Sequence, residues 1–134
     1  METLQLMTSR REELLDITPL VREVIRRNGL ESTVVTVFSP HTTAGLTINE
    51  GADPNVCRDI LAHLKVMVPE RAMFHHAEGN SDAHLKTALV GSSVQVIVHE
   101  KILCLGTWQK IFLAEFDGPR PRQCWVQWIR QERP

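Results

Sequence analysis

Two places in the chain combine a helix-capping residue with a proline, and they restrict where helices can begin. Thr18-Pro19 and Asp53-Pro54 each offer a side-chain acceptor at the N-cap and a proline at the first helical position, where its missing N–H costs nothing. Gly29 is expected to close the first helix, and Pro69 to end the second. The fold must therefore contain two helices whose first residues are set by these two pairs.

Most of the remaining segments alternate apolar and polar residues or are rich in β-branched side chains, which predicts strands. A short helix is expected from Ser81 to Val90, stopped by Gly91. The order ββαββα, then the short helix and several strands, predicts one α+β domain over residues 1–134, built on antiparallel sheets. The strands are expected at residues 2–8, 12–17, 32–38 and 44–48, and in two hairpins, 94–99 with 102–105 and 107–116 with 123–129.

Charge and cysteine content exclude several classes of protein. Fifteen basic and sixteen acidic residues give a formal charge of −1, which argues against a dedicated nucleic-acid binder or a polybasic membrane binder. No run of about 18 apolar residues is present, and the first residues lack the pattern of a signal peptide. Three cysteines without a CxxC spacing are typical of reduced thiols, so we expect a cytoplasmic protein that binds neither nucleic acid nor membrane.

Histidine is the unusual component, with six residues in a chain that has no tyrosine. Zinc sites use neutral imidazoles and carboxylates, and the positive end of the short helix favours neutral imidazole at His84. Glu78 and Asp82 are close enough in sequence to bind a metal or to orient its ligands. The alternative is a polar loop with surface histidines, which also accounts for His63 and His99. The histidines in the two most polar segments are His41, His75, His76 and His84.

A third polar segment, residues 106–122, offers positive charge. Arg120 and Arg122 flank Pro121 in a stiff turn, and a guanidinium presents a fork that fits phosphate or carboxylate. The alternative is that both arginines pair with Asp117 and Glu115. Further donors to an anion would come from Thr42, Thr43, Thr107 and Lys86.

The three polar segments, in this order, resemble the YjbQ-like family, small proteins associated with a secondary thiamine-phosphate synthase activity. The similarity runs from the first strand to the last. The matching stretches are His41-Thr42-Thr43-Ala44, Leu46 and Asn49-Glu50, then His76, Glu78-Gly79-Asn80 and Ala83-His84-Leu85-Lys86, then Gly106-Thr107-Trp108-Gln109, Glu115-Phe116-Asp117-Gly118-Pro119-Arg120 and Arg122.

The resemblance implies a fold, an assembly and a site. The fold is an antiparallel β-sandwich-like core with two main helices and one short helix, and the assembly is a homotrimer. His41, His76 and His84 would hold a divalent metal, zinc or alternatively magnesium. Glu50, Glu78 and Lys86 would take catalytic roles, with either glutamate as a general base or an additional metal ligand. The implied anion-binding residues are Thr42, Thr43, Asn49, Thr107, Gln109, Arg120 and Arg122.

The implied reaction is a transfer on phosphorylated small molecules. It joins hydroxymethylpyrimidine diphosphate to a thiazole phosphate and releases pyrophosphate, which requires cationic stabilisation of the departing diphosphate. Two alternatives stay open at this point. One is a metal-dependent hydrolase, or another enzyme, acting on a small phosphorylated or carboxylated metabolite. The other is a non-enzymatic trimeric module that binds an anion or a metal.

Overall fold

The computed structural model describes residues 1–71 and 73–130; Ala72 and residues 131–134 of the expected domain lie outside the described part. Eight strands and three helices are assigned in these residues. They are β1 (Glu2–Met7), β2 (Glu13–Asp16), α1 (Thr18–Arg27), β3 (Ser32–Phe38), β4 (Ala44–Glu50), α2 (Pro54–Met67), α3 (Ser81–Val90), β5 (Ser93–His99), β6 (Ile102–Leu103), β7 (Gln109–Glu115) and β8 (Pro121–Trp128).

The strands form two antiparallel sheets, one of five strands in the order β1-β8-β3-β5-β6 and one of three in the order β2-β7-β4. Strand alternation sends one set of side chains inward, such as Val35 and Val37 of β3 and Val126 of β8. These side chains, with Val21 and Val24 of α1, form the main core. The predicted α+β class with antiparallel sheets is confirmed.

Strand β7 is buried on both of its faces, which explains its almost continuous apolar sequence. Ile111 and Leu113 belong to the main core. Ala114 belongs to a second, smaller cluster, together with Phe116, which directly follows the strand. Ala83 of α3 completes that cluster, and Leu61 and Leu64 of α2 pack against it. The three-stranded sheet is therefore a middle layer, with α2 and α3 on the side away from the five-stranded sheet.

The two cap–proline pairs differ in what they do. Asp53 caps α2 as predicted, because its Oδ1 accepts the N–H of Asn55 at 2.9 Å. Thr18 does not cap α1. It is the first residue of that helix, and its hydroxyl oxygen instead accepts the N–H of Ile111 at 2.8 Å, which joins α1 to β7.

One of the two predicted hairpins is wrong. β5 and β6 pair around Glu100 and Lys101, which both have positive φ as a tight hairpin turn requires. β7 and β8 do not pair, since β7 belongs to the three-stranded sheet and β8 to the five-stranded one. The connection crosses between the sheets at Gly118, where a Cβ would lie 2.2 Å from the carbonyl oxygen of Arg10.

None of the three helices in the described ranges combines the length and the apolar character that a membrane crossing requires.

Candidate functional site

A buried ion pair joins the two sheets at the end where β7 finishes and β8 begins. The guanidinium of Arg122 donates from Nε to Oε1 of Glu115 at 2.9 Å and from Nη2 to Oε2 at 2.5 Å. Thr8 donates from Oγ1 to Glu115 Oε1 at 2.7 Å, and Arg122 Nη2 also donates to Thr43 Oγ1 at 2.8 Å. Arg122 and Thr43 therefore have internal partners, which does not favour their predicted roles in binding an anion.

Lys86 also forms its ion pairs inside the protein. It is fully buried in α3, and its Nζ lies 2.9 Å from Glu12 Oε1 and 3.1 Å from Asp82 Oδ2. Asp82 also accepts two hydrogen bonds from Arg11, each of 3.2 Å. The predicted catalytic or anion-binding role of Lys86 does not fit this environment, because its ammonium neutralises two carboxylates inside the protein.

The helix α3 turns its polar residues inward and leaves a histidine on the outside. His84 meets His76 from the preceding loop, with ring centres 5.4 Å apart and ring planes at 83°. The Nδ1 atom of His76 is 3.1 Å from Ser81 Oγ, and its Nε2 is 3.8 Å from Glu78 Oε2. A pocket of about 330 Å³ lies here, lined by Phe74, His75, His76, Ser81, His84 and Leu85.

The separation of the two ring centres is close to that of two imidazoles bound to one metal ion. At a zinc–nitrogen distance of about 2.0–2.1 Å and a tetrahedral angle, two ring centres lie roughly 5 Å apart. The contact from Ser81 to Nδ1 of His76 leaves Nε2 as the atom that can bind a metal, an arrangement that is usual for metal-binding histidines.

His41 lies apart from that pair. Its Nε2 is 3.1 Å from the carbonyl oxygen of Gln123 and 3.0 Å from the Gln123 nitrogen. The ring therefore contacts the backbone of β8 just beyond the end of β3. Burial lowers the pKa of His41, and the charge of Arg122 lowers it further, so the neutral ring is favoured. Across residues 1–71 and 73–130, no three His, Cys, Asp or Glu residues form a metal-binding group. The described part of one chain therefore does not bring His41, His76 and His84 together, and the predicted three-histidine metal site stays a prediction.

Arg120 is placed differently from Arg122. Its side chain is 48% exposed, and its Nη2 donates to Asp117 Oδ2 at 3.3 Å. The same oxygen accepts a hydrogen bond of 2.9 Å from Asn80, which directly precedes α3. The open alternative that the arginines pair with Asp117 and Glu115 is confirmed, yet the exposed side chain of Arg120 also remains accessible to a ligand. Thr42 is exposed at the same end of β4.

The other predicted residues lie at the opposite end of the β4–β7 pair. Ala44 pairs with Glu115 at one end, and Glu50 pairs with Gln109 at the other. Six residues of strand separate these ends by about 20 Å. The structure thus separates one set of predicted residues from the histidine pair: Asn49, Glu50, Thr107 and Gln109.

Several residues that organise the site were not predicted to do so. Thr8 and Ser81 are short polar side chains without any motif of their own, and only their buried contacts identify them. Glu12 reaches Lys86 from 74 residues away in sequence. A strongly apolar strand that ends in a glutamate, as β7 does at Glu115, was the one signal available, since a carboxylate there needs a buried partner.

The buried ion pair predicts an asymmetric response to arginine substitution. Replacing Arg122 with Met leaves Glu115 buried without its cation and should lower the free energy of unfolding by about 3–5 kcal/mol. Arg120→Met removes an exposed ion pair and should cost at most about 1 kcal/mol. Urea unfolding of both variants measures this, and equal losses would contradict it.

Asp82 predicts a stability that depends on acid pH. Burial acts to raise the pKa of Asp82, but hydrogen bonds from Arg11 and Lys86 outweigh it and hold that pKa below its ordinary value. Ionised Asp82 therefore stabilises the fold above about pH 4, and this stabilisation is lost as the pH falls through the lowered pKa.

Urea unfolding near neutral pH and at about pH 3 tests this expectation. Asp82→Asn should flatten the acid dependence of the unfolding free energy, whereas Asp59→Asn on the exposed side of α2 should leave it as in the wild type. The same acid dependence in all three proteins would rule out Asp82 as its source.

Comparison with known proteins places this arrangement in a family. The family model described as UPF0047 protein YjbQ-like matches residues 2–131. A UPF0047 protein of Methanocaldococcus jannaschii is 49% identical over 125 residues, which cover 93% of this chain and 91% of that protein. The structure of a YjbQ/UPF0047 protein from Clostridium acetobutylicum has a TM-score of 0.94 and 47% identity, covering 96% of this chain and all of that one.

These relatives correct the expected reaction. Their names carry the family designation and no thiamine-phosphate synthase activity, and the Clostridium protein is an uncharacterized conserved protein. A structure from Sulfolobus solfataricus, with a TM-score of 0.89 and 33% identity over 93% of this chain and 92% of that one, is of a YjbQ-like protein of unknown function. The thiamine-phosphate synthase assignment is therefore set aside. The fold, the motifs and a match over nearly the whole length agree, and the chain belongs to the YjbQ-like UPF0047 family.

Proposed function

We propose that this protein binds a divalent metal ion, with zinc as the best fit, through His76 and His84, and that a small phosphorylated ligand binds beside it. The observation that carries the proposal is the perpendicular pair of imidazoles 5.4 Å apart. A divalent ion beside a bound phosphate polarises phosphoryl oxygens, a pairing that metal-dependent enzymes use.

The chemistry of the ligands favours zinc over magnesium. Imidazole nitrogen suits zinc, whereas magnesium prefers carboxylate and water oxygens in octahedral geometry. The carboxylate of Glu78 lies near Nε2 of His76 and is 76% exposed, so it is free to move towards an ion bound there. His84 comes from the first turns of α3 and His76 from the loop, which fixes one ligand rigidly and leaves the other adjustable.

Arg120 supplies the cation for the phosphorylated ligand. Two hydrogen bonds, Arg120 to Asp117 and Asn80 to the same carboxylate oxygen, connect it to the residue that precedes Ser81. With Lys86 and Arg122 committed to internal carboxylates, Arg120 is the arginine of the predicted anion site that keeps an exposed guanidinium. An arginine presents two parallel donors to a phosphate, which favours a phosphoryl group as its ligand.

We also propose a homotrimer in the cytoplasm as the working form. Exposed apolar side chains such as Val66, Met67 and Met73 favour association with another chain. The cysteines Cys57, Cys104 and Cys124 are free, as in a reducing compartment, and burial raises the pKa of Cys124 to about 12, so its thiol is unreactive.

Zinc binding tests the metal site directly. We expect the purified wild-type protein, stripped with a chelator and titrated with zinc chloride, to bind zinc, and His84→Ala to lose it. Ser81→Ala should weaken binding by about 10–100-fold, the usual cost of losing a group that orients a metal ligand. His63→Ala, an exposed histidine on α2, is the matched control and should bind as the wild type does. Wild-type protein that binds no zinc, or His84→Ala with unchanged affinity, would refute the metal site.

Inorganic phosphate tests the neighbouring position. We expect phosphate to bind the zinc-loaded protein and Arg120→Gln to weaken that binding by about 10-fold, the loss of one charge-assisted pair. Arg22→Gln, a change of an exposed arginine on α1, should leave phosphate affinity unchanged. Isothermal titration measures both affinities, and equal affinities in the two variants would contradict the role of Arg120.

A further inference from the structure

A groove of about 600 Å³ lies between α1 and the hairpin of β5 and β6. Ile25 and Leu103, both almost fully buried, lie at its base, and the exposed residues Pro19 and Ile102 add apolar surface to its sides. We call it the α1 groove. Its volume is within the range of about 300–1,000 Å³ that small-molecule sites have, and an apolar lining is typical of such sites.

The polar part of the α1 groove is mainly cationic. Arg22 and Arg26 are four residues apart on α1 and therefore lie on one side of that helix, and Lys101 joins them from the hairpin turn. Within the described residues, Glu23 is the one acidic side chain that lines the groove. An apolar base beneath an excess of positive charge favours a ligand that is apolar at one end and anionic at the other.

Two of the three cations already have an anionic partner. Arg26 donates to Glu23 from Nε at 2.8 Å and from Nη2 at 2.6 Å, and Lys101 Nζ lies 3.5 Å from Glu31 Oε1. Arg22 has no carboxylate within ion-pair distance in the part of the chain that the structure describes. One uncompensated positive charge therefore remains in the α1 groove, and it matches a ligand with a single negative charge.

A carboxylate meets this requirement better than a phosphate does. The guanidinium of Arg22 is planar, and its parallel N–H donors match the two oxygens of a carboxylate. A phosphate monoester carries about 1.5–2 negative charges near neutral pH, so part of its charge would lack a partner here. Because Arg22 is exposed, its ion pair contributes modestly, and most of the affinity has to come from the apolar part of the ligand.

We propose that the α1 groove binds a small amphipathic carboxylate, with the apolar part against Ile25, Ile102 and Leu103 and the carboxylate on Arg22. The bound ligand would remove from water the side chain of Ile102, which is 64% exposed. This site is separate from the proposed metal and phosphate site, because the α1 groove shares no lining residue with the pocket of the histidine pair.

Decanoate is a suitable probe, since it joins one carboxylate to an unbranched apolar chain. Wild-type protein is stripped of metal with a chelator, so that no bound ion offers a second place for a carboxylate. Isothermal titration should then show one decanoate bound per chain. Acetate has the same charged group without the chain and should not bind measurably, and the same reasoning applies to inorganic phosphate at this groove.

Substitutions of arginine test the charged end. Arg22→Gln should weaken the binding of decanoate about 5-fold, the effect of one ion pair at the edge of an apolar site, and should leave the binding of uncharged decanol unchanged. Arg22→Lys should recover part of the lost affinity. Arg27→Gln is the matched control, because Arg27 is exposed on the same helix but does not line the groove, and it should bind decanoate as the wild type does.

A substitution on the hairpin tests the apolar end. Ile102→Asp places a negative charge and a shorter side chain against the ligand, so it should abolish measurable decanoate binding. Because Ile102 is exposed, the chain should still fold, which thermal unfolding checks. Unchanged affinity in Ile102→Asp would show that decanoate binds elsewhere and would overturn the proposal.

Three further results would overturn it. These are a wild-type protein that binds no decanoate, equal decanoate affinities in Arg22→Gln and Arg27→Gln, and several decanoate molecules bound per chain. The last result is what adsorption on exposed apolar side chains such as Met67 and Met73 would give. Since the titration is made without metal, none of these results depends on whether His76 and His84 bind zinc.

Discussion

The ion pair between Glu115 and Arg122 is the contact on which the rest of the structure depends. Glu115 ends β7 in one sheet and Arg122 lies in β8 of the other, and both are buried. Removing two charges from water is expensive, and the cost is offset only when their remaining hydrogen-bonding atoms are satisfied. Thr8 and Thr43 meet that demand, so the pair fixes the ends of four chain segments: those of β1, β4, β7 and β8.

A second group of charges plays the same part for α3. The inner side of this helix carries Asp82 and Lys86, whose partners Arg11 and Glu12 come from the segment before β2. An apolar helix face can slide against its neighbour, whereas hydrogen-bonded charges accept one geometry, since a small shift leaves a buried charge without its partner. The rotation of α3 about its axis is thereby fixed, and with it the outward direction of His84.

Local features of the sequence predicted most helices and strands correctly. They could not predict which strands pair, because pairing depends on segments that are distant in sequence. The periodicity of residues 32–38, the cap at Asp53 and the stop at Gly91 depend on neighbours in the chain, and all agree with the structure. The segments 107–116 and 123–129 read as a hairpin because the turn between them is short and polar. Whether two such strands share a sheet depends on β1, β3 and β4, which lie far away in sequence. Lys86 and Arg122 were predicted to bind a ligand because the type of a residue indicates its charge but not its burial, which again depends on segments far away in sequence.

The motif residues at the far end of β4 and β7 have a structural explanation of their own. The amide oxygen of Gln109 accepts the N–H of Gly106 at 2.8 Å, and that of Asn49 accepts the N–H of Glu50 at 2.8 Å. Both side chains thus stabilise the turn and strand end to which they belong, as short polar residues commonly do. About 20 Å of strand separates them from the end of the sheet where Asn80 contacts Asp117, so residues that resemble one site in the sequence are divided between the two ends of β4 and β7.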